Sequence, residues 1–153
     1  MFPYSTQSIS NRDIKSVVKS LKSKFLTQGP MVSKFEEKVC KYVDAKYSVA
    51  TNSATSALHI ACLSLGLKKG DLLWTVNNSF VSSATCALFC DAKVDFIDID
   101  LKNYNLSITH LKKKLLKAKK KNKLPKVIIP VNFSGTPYDQ TELFKLKKNI
   151  NFL

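Results

Sequence analysis

Arginine is nearly absent from this sequence. Of its 25 lysines and arginines only Arg12 is an arginine, so the formal net charge of +14 is carried almost wholly by lysine. Base-edge and phosphate recognition favours the planar, two-pronged guanidinium. Its scarcity weighs against nucleic-acid binding, which the charge alone would invite. The lysines are also spread over several predicted helices, and only Lys112 to Lys123 forms a dense block. Within that block Ile108, Leu111, Leu115 and Ala118 keep helical spacing, so it reads as the solvated face of an amphipathic helix. A lysine-rich, arginine-poor composition also follows from an AT-rich genome, without functional meaning.

Other absences narrow the field further. No apolar run approaches the length of a membrane span. The opening Met-Phe-Pro-Tyr-Ser-Thr-Gln lacks the basic and apolar regions of a secretory signal, so the expectation is a cytoplasmic protein. The four cysteines, Cys40, Cys62, Cys86 and Cys90, contain no CxxC pair. Cys86 and Cys90 lie four apart without matching partners, so buried free thiols are expected rather than a zinc site. His59 and His110 each stand alone on a predicted helix, with no triad or metal cluster nearby. No repeat or linker interrupts the chain.

What remains is enough for one domain with a real core: 153 residues, 44% of them apolar. Ser10 or Asn11 caps a first helix whose apolar stripe is Ile14, Val17, Val18, Leu21 and Phe25. Gly29-Pro30 opens a second, with Pro30 at its first position and Val32, Phe35, Val39 and Tyr42 on one side. A short β-branched strand is expected at Tyr47 to Thr51, then a helix ending at Gly66. Lys69-Gly70-Asp71 forms a turn. Strands follow at 72–76, 94–99 and 127–133, the last with Pro130 awkwardly at its centre. Helices are expected at 79–90, over the lysine block after a Ser107 cap, and after an Asp139 cap to about Lys148. Ser134-Gly135-Thr136-Pro137 reads as a turn, and Asn151-Phe152-Leu153 as the start of another strand. Alternation of this kind specifies an α/β protein, a mainly parallel sheet with helices on both faces.

The stretch from Ser48 to Gly66 organises the rest. A strand runs into a polar loop, Asn52-Ser53-Ala54-Thr55, and then a helix carrying Ala57, Leu58, Ala61, Cys62 and Leu65 on its apolar side. First-turn N–H groups have no intrahelical partner, the helix dipole is positive there, and Ser and Thr hydroxyls add donors, so this is a candidate anion site. Taken alone, an ordinary cap by Asn52 or Ser53 is the simpler account of those residue types. Ligands of parallel sheets bind at the carboxyl ends of strands. The loops at Asn52–Thr55, Asn77–Phe80 and Asn132–Gly135 all follow expected strands and can converge there.

In order, Thr27-Gln28-Gly29-Pro30, Phe35-Glu36, Ala45-Lys46-Tyr47-Ser48-Val49-Ala50 and Asn52-Ser53-Ala54-Thr55-Ser56-Ala57-Leu58-His59 resemble the opening of the DegT/DnrJ/StrS family. Gly70-Asp71, Ser79-Phe80-Val81, Ala92 to Asp100 and Tyr104-Asn105-Leu106 continue the match. These are pyridoxal 5′-phosphate (PLP)-dependent aminotransferases of nucleotide sugars, homodimeric and of aspartate aminotransferase-like fold type I. The lead Pro3 to Ile9 and the Asn52–Leu58 wording look most like the pseudaminic-acid branch. That branch aminates C4 of a UDP-linked 4-keto-6-deoxy-N-acetylhexosamine, with glutamate as donor.

The resemblance implies roles. Ser53, Ala54 and Thr55 would bind the cofactor phosphate, and Phe80 would stack on the pyridine ring. Tyr4, Lys24, Phe25, Leu26 and Thr27 match positions on the sugar-nucleotide side; surface exposure and helix packing are the plain alternatives for Lys24 and Phe25. Residues 1–30 would form an N-terminal helix and substrate-side segment, and 31–153 the start of the PLP-binding large domain. Asn132 stands where a His is common, Ser134-Gly135-Thr136 replaces an aromatic-Gly-Gln motif, and Thr85 and Asp91 replace Asn and Gly. No residue matches the family's Schiff-base lysine or its pyridine-nitrogen Asp, so the expectation is an N-terminal portion, inactive alone. Two further readings stay open: a stand-alone α/β module for a phosphorylated ligand, and a basic nucleic-acid-binding protein with steep salt dependence.

Overall fold

The computed structural model describes residues 6–150. The chain divides into two compact units, one running to Ala50 and one starting at Thr51. The expectations for Tyr4 and for a strand start at Asn151-Phe152-Leu153 lie outside the described residues.

The first unit contains α1 (Asn11–Leu21) and α2 (Pro30–Val43). Ser10 caps α1 in a reciprocal arrangement: its hydroxyl accepts from the Asp13 N–H, and the Asp13 carboxylate accepts from the Ser10 N–H at 2.8 Å. Pro30 opens α2 as expected, and Asp44 ends it in a left-handed conformation, φ 52°. Neither helix buries a residue. The stripe of α1 is exposed throughout: Ile14, Val17, Val18, Leu21 and, beyond the helix, Phe25.

The strand expected at Tyr47–Thr51 does not form; the backbone there is irregular. A strand needs a neighbour to take its backbone bonds. Here the Ala50 N–H donates instead to the Glu36 carboxylate at 2.8 Å, and Tyr47 and Val49 are 78% and 72% exposed. β-Branched composition is not sufficient without a partner.

The second unit is a three-layer α/β structure. Its elements are α3 (Ala54–Ser64), β1 (Leu72–Val76), α4 (Ser82–Leu88), β2 (Lys93–Ile97), α5 (Ile108–Lys120), β3 (Val127–Ile129) and α6 (Gln140–Ile150). The sheet is parallel, in the order β2-β1-β3, with Trp74 opposite both Asp95 and Ile128. Three expected boundaries move. The helix expected at 79–90 forms only as α4, Ser82–Leu88, because residues 79–81 stay in the loop, where the Ser79 and Ser83 hydroxyls meet. β3 stops before Pro130, which has no N–H for a ladder bond. β2 stops at Ile97, and Ile99 makes only an isolated bridge to Leu106.

Alternation along β1 supplies both faces. Trp74 and Val76 join Ile97, Ile128 and the inward residues of α5 and α6: Leu111, Leu115, Ala118, Leu146 and Ile150. Leu73 joins Val127, Ala92 and the inward residues of α3 and α4: Cys62, Cys86 and Ala87. Thr75, fully buried, reconciles a hydroxyl with the core by donating to the Ile129 carbonyl at 3.0 Å. The lysine block is a solvated helix face, as its spacing predicts, with Lys112, Lys113 and Lys117 exposed. Lys114 departs from it. Its ammonium sits 2.7 Å from the Asp95 carboxylate and 4.7 Å above the Trp74 ring, fastening α5 to the sheet.

Among the described residues the cysteines are free thiols. No group of three His, Cys, Asp or Glu can hold a metal there. No described helix is long and apolar enough to cross a membrane.

Candidate functional site at the carboxyl edge

Gly66 and Lys126 set the direction of α3. The helix ends at Ser64, and Gly66, at φ +69°, provides the left-handed step that glycine takes without strain. The Gly66 carbonyl accepts from the Lys126 ammonium, immediately before β3 begins. The carboxyl end of α3 is thereby tied to the amino edge of the sheet. Leu58 and Cys62 pack on the sheet's core layer, so the helix runs back over it.

The start of α3 is a cluster of small polar groups. Ser53 is the cap, its hydroxyl accepting from the Ser56 N–H at 3.1 Å. Asn52 accepts from the Ser56 hydroxyl at 2.7 Å, and the Thr51 hydroxyl donates to the Ser53 carbonyl at 2.9 Å. These bonds occupy Ser53 and Ser56. Among the described residues the N–H groups of Ala54 and Thr55 and the half-buried Thr55 hydroxyl make no bond. Ser53 thus serves the ordinary cap, and Ala54 and Thr55 leave their first-turn donors unspent in the same turn.

Phe80 lies in the loop between β1 and α4 and is 74% exposed. It is not a core aromatic. The loop is held below it: the Ser79 and Ser83 hydroxyls lie 2.6 Å apart, and the Ser83 N–H donates to the Phe80 carbonyl at 3.0 Å.

The third loop depends on a residue whose role no local pattern signals. Asn105 is 1% exposed. Its side-chain carbonyl accepts from the Phe133 N–H at 2.8 Å, and its amide donates to the Thr136 carbonyl at 3.0 Å. It therefore binds the loop after β2 to the loop after β3. Asn132 accepts from the Tyr138 N–H at 3.1 Å, so its side chain shapes its own loop. The 134–137 turn includes two left-handed residues, Ser134 (φ 50°) and Gly135 (φ 80°).

Lys24, Phe25, Leu26 and Thr27 fall in the first unit, all exposed, with the Lys24 ammonium 5.6 Å from the Phe25 ring centre. Their loop is tightly built. The Ser23 hydroxyl reaches the Ser20 and Phe25 carbonyls. A Cβ on Gly29 would lie 2.3 Å from the Phe25 carbonyl oxygen, so a side chain there would displace backbone.

Burial holds the thiols of the second unit in the protonated form. Desolvation, with Cys86 beside it, pushes Cys62 up to about 12, and desolvation also raises Cys86 and Cys90. None is a nucleophile at neutral pH.

A helix-start donor set, an aromatic loop and a parallel sheet recur in many folds, and comparison with known proteins decides among them. The model of the DegT/DnrJ/EryC1/StrS aminotransferase family matches residues 7–152. The chain belongs to that family. A UDP-4-amino-4,6-dideoxy-N-acetyl-beta-L-altrosamine transaminase from Campylobacter jejuni is 38% identical over 151 residues, 99% of this chain and 39% of the relative. The spore coat polysaccharide biosynthesis protein SpsC of Bacillus subtilis is 31% identical over 96% of this chain and 36% of its own length. Among solved structures, Helicobacter pylori PseC, an aminotransferase of pseudoaminic acid biosynthesis, superposes with a TM-score of 0.89 at 29% identity, over 99% of this chain and 39% of PseC. The chain thus spans about 39% of the length of such relatives. Its α/β fold is the corresponding portion of family members with fold type I architecture.

Proposed function

We propose that this chain forms the cofactor-phosphate and sugar-side portion of a PLP-dependent aminotransferase. The reaction is transfer of an amino group from glutamate to C4 of a UDP-linked 4-keto-6-deoxy-N-acetylhexosamine. One observation carries the reading: the donors of Ala54 and Thr55 are unspent at the start of α3, in a fold shared with sugar aminotransferases.

The residues present fit the phosphate end of PLP. Two backbone N–H groups and a hydroxyl converge at the positive end of a helix dipole, which suits a phosphate dianion. Ser53 fixes the turn as its cap. Phe80, exposed beside the strand end, offers a flat face to the ring. When bound, PLP supplies the electron sink for the amino transfer. Tyr4, Lys24, Phe25, Leu26 and Thr27 would contact the nucleotide sugar, with the Lys24 ammonium as a partner for diphosphate. Activity also needs a lysine amine and a carboxylate on the pyridine nitrogen, for which this sequence offers no match.

The test is to incubate the 153-residue chain with PLP, reduce with borohydride, map the labelled lysines and assay glutamate-dependent amination of the UDP-4-keto sugar. Scattered labelling below one per chain, with no turnover, is expected. A single stoichiometric lysine adduct with turnover would overturn the inactivity of the chain alone. PLP retention no greater than that of a Thr55→Val control would remove the cofactor assignment.

A further inference from the structure

The outer face of α5 carries more charge than the fold uses. Lys112, Lys113, Lys117, Lys119 and Lys120 of the helix are exposed, and Lys121 and Lys123 follow in the turn after it. Among the described residues none of them takes part in a salt bridge. The acids that pair near the helix pair elsewhere: Asp95 with Lys114, Asp98 toward His110 and, on α6, Glu142 with Lys145. From Leu111 to Lys123 the sequence has no acidic residue. A solvated helix face gains from opposite charges three or four residues apart. Here Lys113 and Lys117 stand four apart and Lys117 and Lys120 three apart, so like charges oppose one another along the exposed side.

Burial fixes which way this face points. Leu111, Leu115 and Ala118 are buried in the layer that α5 shares with the sheet. The opposite side of the helix carries Lys113, Leu116, Lys117 and Lys120, an i, i+3, i+4, i+7 set. Leu116 is 49% exposed in the middle of that set. One apolar side chain among unpaired ammonium groups is the pattern of a helix face that rests on a charged bilayer.

We infer that the exposed face of α5 docks on an anionic lipid bilayer. Charged headgroups supply the countercharge that the fold does not. Lysine, a compact point charge on a flexible stem, suits a surface of many mobile anions, where no fixed two-pronged geometry is needed. The long stems reach the headgroups while Leu116 enters the boundary beneath them. Nucleic acid is a poorer occupant. α5 has no arginine for two-pronged contacts and no Phe, Tyr or Trp on which bases could stack. The inference does not rest on the cofactor reading, because no residue of the α3 start or of the Phe80 loop takes part.

The test is cosedimentation of the 153-residue chain with vesicles of phosphatidylcholine containing phosphatidylserine, and with vesicles of phosphatidylcholine alone. Binding to the anionic vesicles only, weakening steeply as salt is raised, is expected. The triple variant Lys113→Gln, Lys117→Gln, Lys120→Gln should weaken it roughly hundredfold, the loss of three lysines from the contact. A second triple variant, Lys15→Gln, Lys34→Gln, Lys38→Gln, removes the same charge from the first unit and should leave binding nearly unchanged. Glutamine matches lysine in helix propensity and removes the like-charge repulsion, so the α5 variant keeps its helix. The salt dependence is read on the parent chain and needs no variant. Leu116→Ser should weaken vesicle binding and leave binding to single-stranded DNA unchanged. Equal binding to neutral vesicles, equal losses in the two triple variants, vesicle binding indifferent to Leu116→Ser, or tighter binding to single-stranded DNA through the same three lysines would each overturn the inference.

Discussion

Asn105 and Phe133 are joined across 28 residues of sequence by a 2.8 Å bond from the Phe133 N–H to the Asn105 side-chain carbonyl. The other end of the same carboxamide holds the Thr136 carbonyl. A buried amide with both ends bonded is costly to remove, because its partners are left without water. Asn105→Ala should destabilise the chain by about 1–3 kcal/mol. Amide hydrogen exchange should rise most at Phe133. Equal unfolding midpoints for the variant and the parent, with unchanged exchange there, would refute the clamp.

Asp71 gives a pH signature at the opposite edge. Its hydrogen bond to Lys126, at 3.0 Å, holds its carboxyl below the usual carboxylate range, helped by the Lys68 N–H. A carboxyl lowered in the folded state contributes stability that is complete above its unfolded value of about 3.9 and fades as pH falls through the folded value. The parent should therefore lose stability across that acid window more steeply than Asp71→Asn. Parallel stability curves, measured by urea unfolding from neutral to acid pH, would contradict the assignment.

The thiols should react in order of burial. Cys62, pushed up to about 12, and the buried Cys86 should resist alkylation at neutral pH. Cys40, half-buried in α2, should be modified first. Mass-spectrometric mapping after brief iodoacetamide treatment reads this directly. Early labelling of Cys62 in folded protein would show that the α3–α4 layer is open.

The two helices of the first unit carry Ile14, Val17, Leu21, Val32 and Phe35 at 43% exposure or more. Apolar surface of this extent drives association. Sedimentation velocity should show concentration-dependent self-association, reduced by Val17→Lys or Phe35→Lys. A monomer at every concentration would show that this surface is not sticky.

The sequence carried the second unit well, and for physical reasons. Helix starts at Ser10, Pro30, Ser53, Ser107 and Asp139 depend on local caps, and each sits where its residue type predicts. The stripe in α5 is set by its own spacing. What sequence reasoning missed depends on distant partners. Tyr47–Thr51 has strand composition but no neighbour. The clamp role of Asn105 is fixed by residues 28 and 31 positions away. The site was legible in part: the small polar run at Asn52–Thr55 implied a capped helix start with spare donors and offered Asn52 or Ser53 as the cap, but the choice of Ser53, with Asn52 accepting from Ser56 instead, depends on the geometry of the turn. The first-unit stripe predicted packing that the described residues do not show.

The central claim is that Ala54 and Thr55 hold a cofactor phosphate. Pyridoxamine 5′-phosphate is the probe, because its amine, unlike an aldehyde, does not condense with the many lysines. Its titration into the chain, compared with phosphate-free pyridoxamine, should shift the Ala54 and Thr55 amides saturably and perturb the Phe80 ring, while pyridoxamine does neither. Thr55→Val should weaken binding by about 1–3 kcal/mol, the loss of a charge-assisted hydrogen bond. Equal responses to both compounds, or no shift at Ala54 and Thr55, would contradict the account.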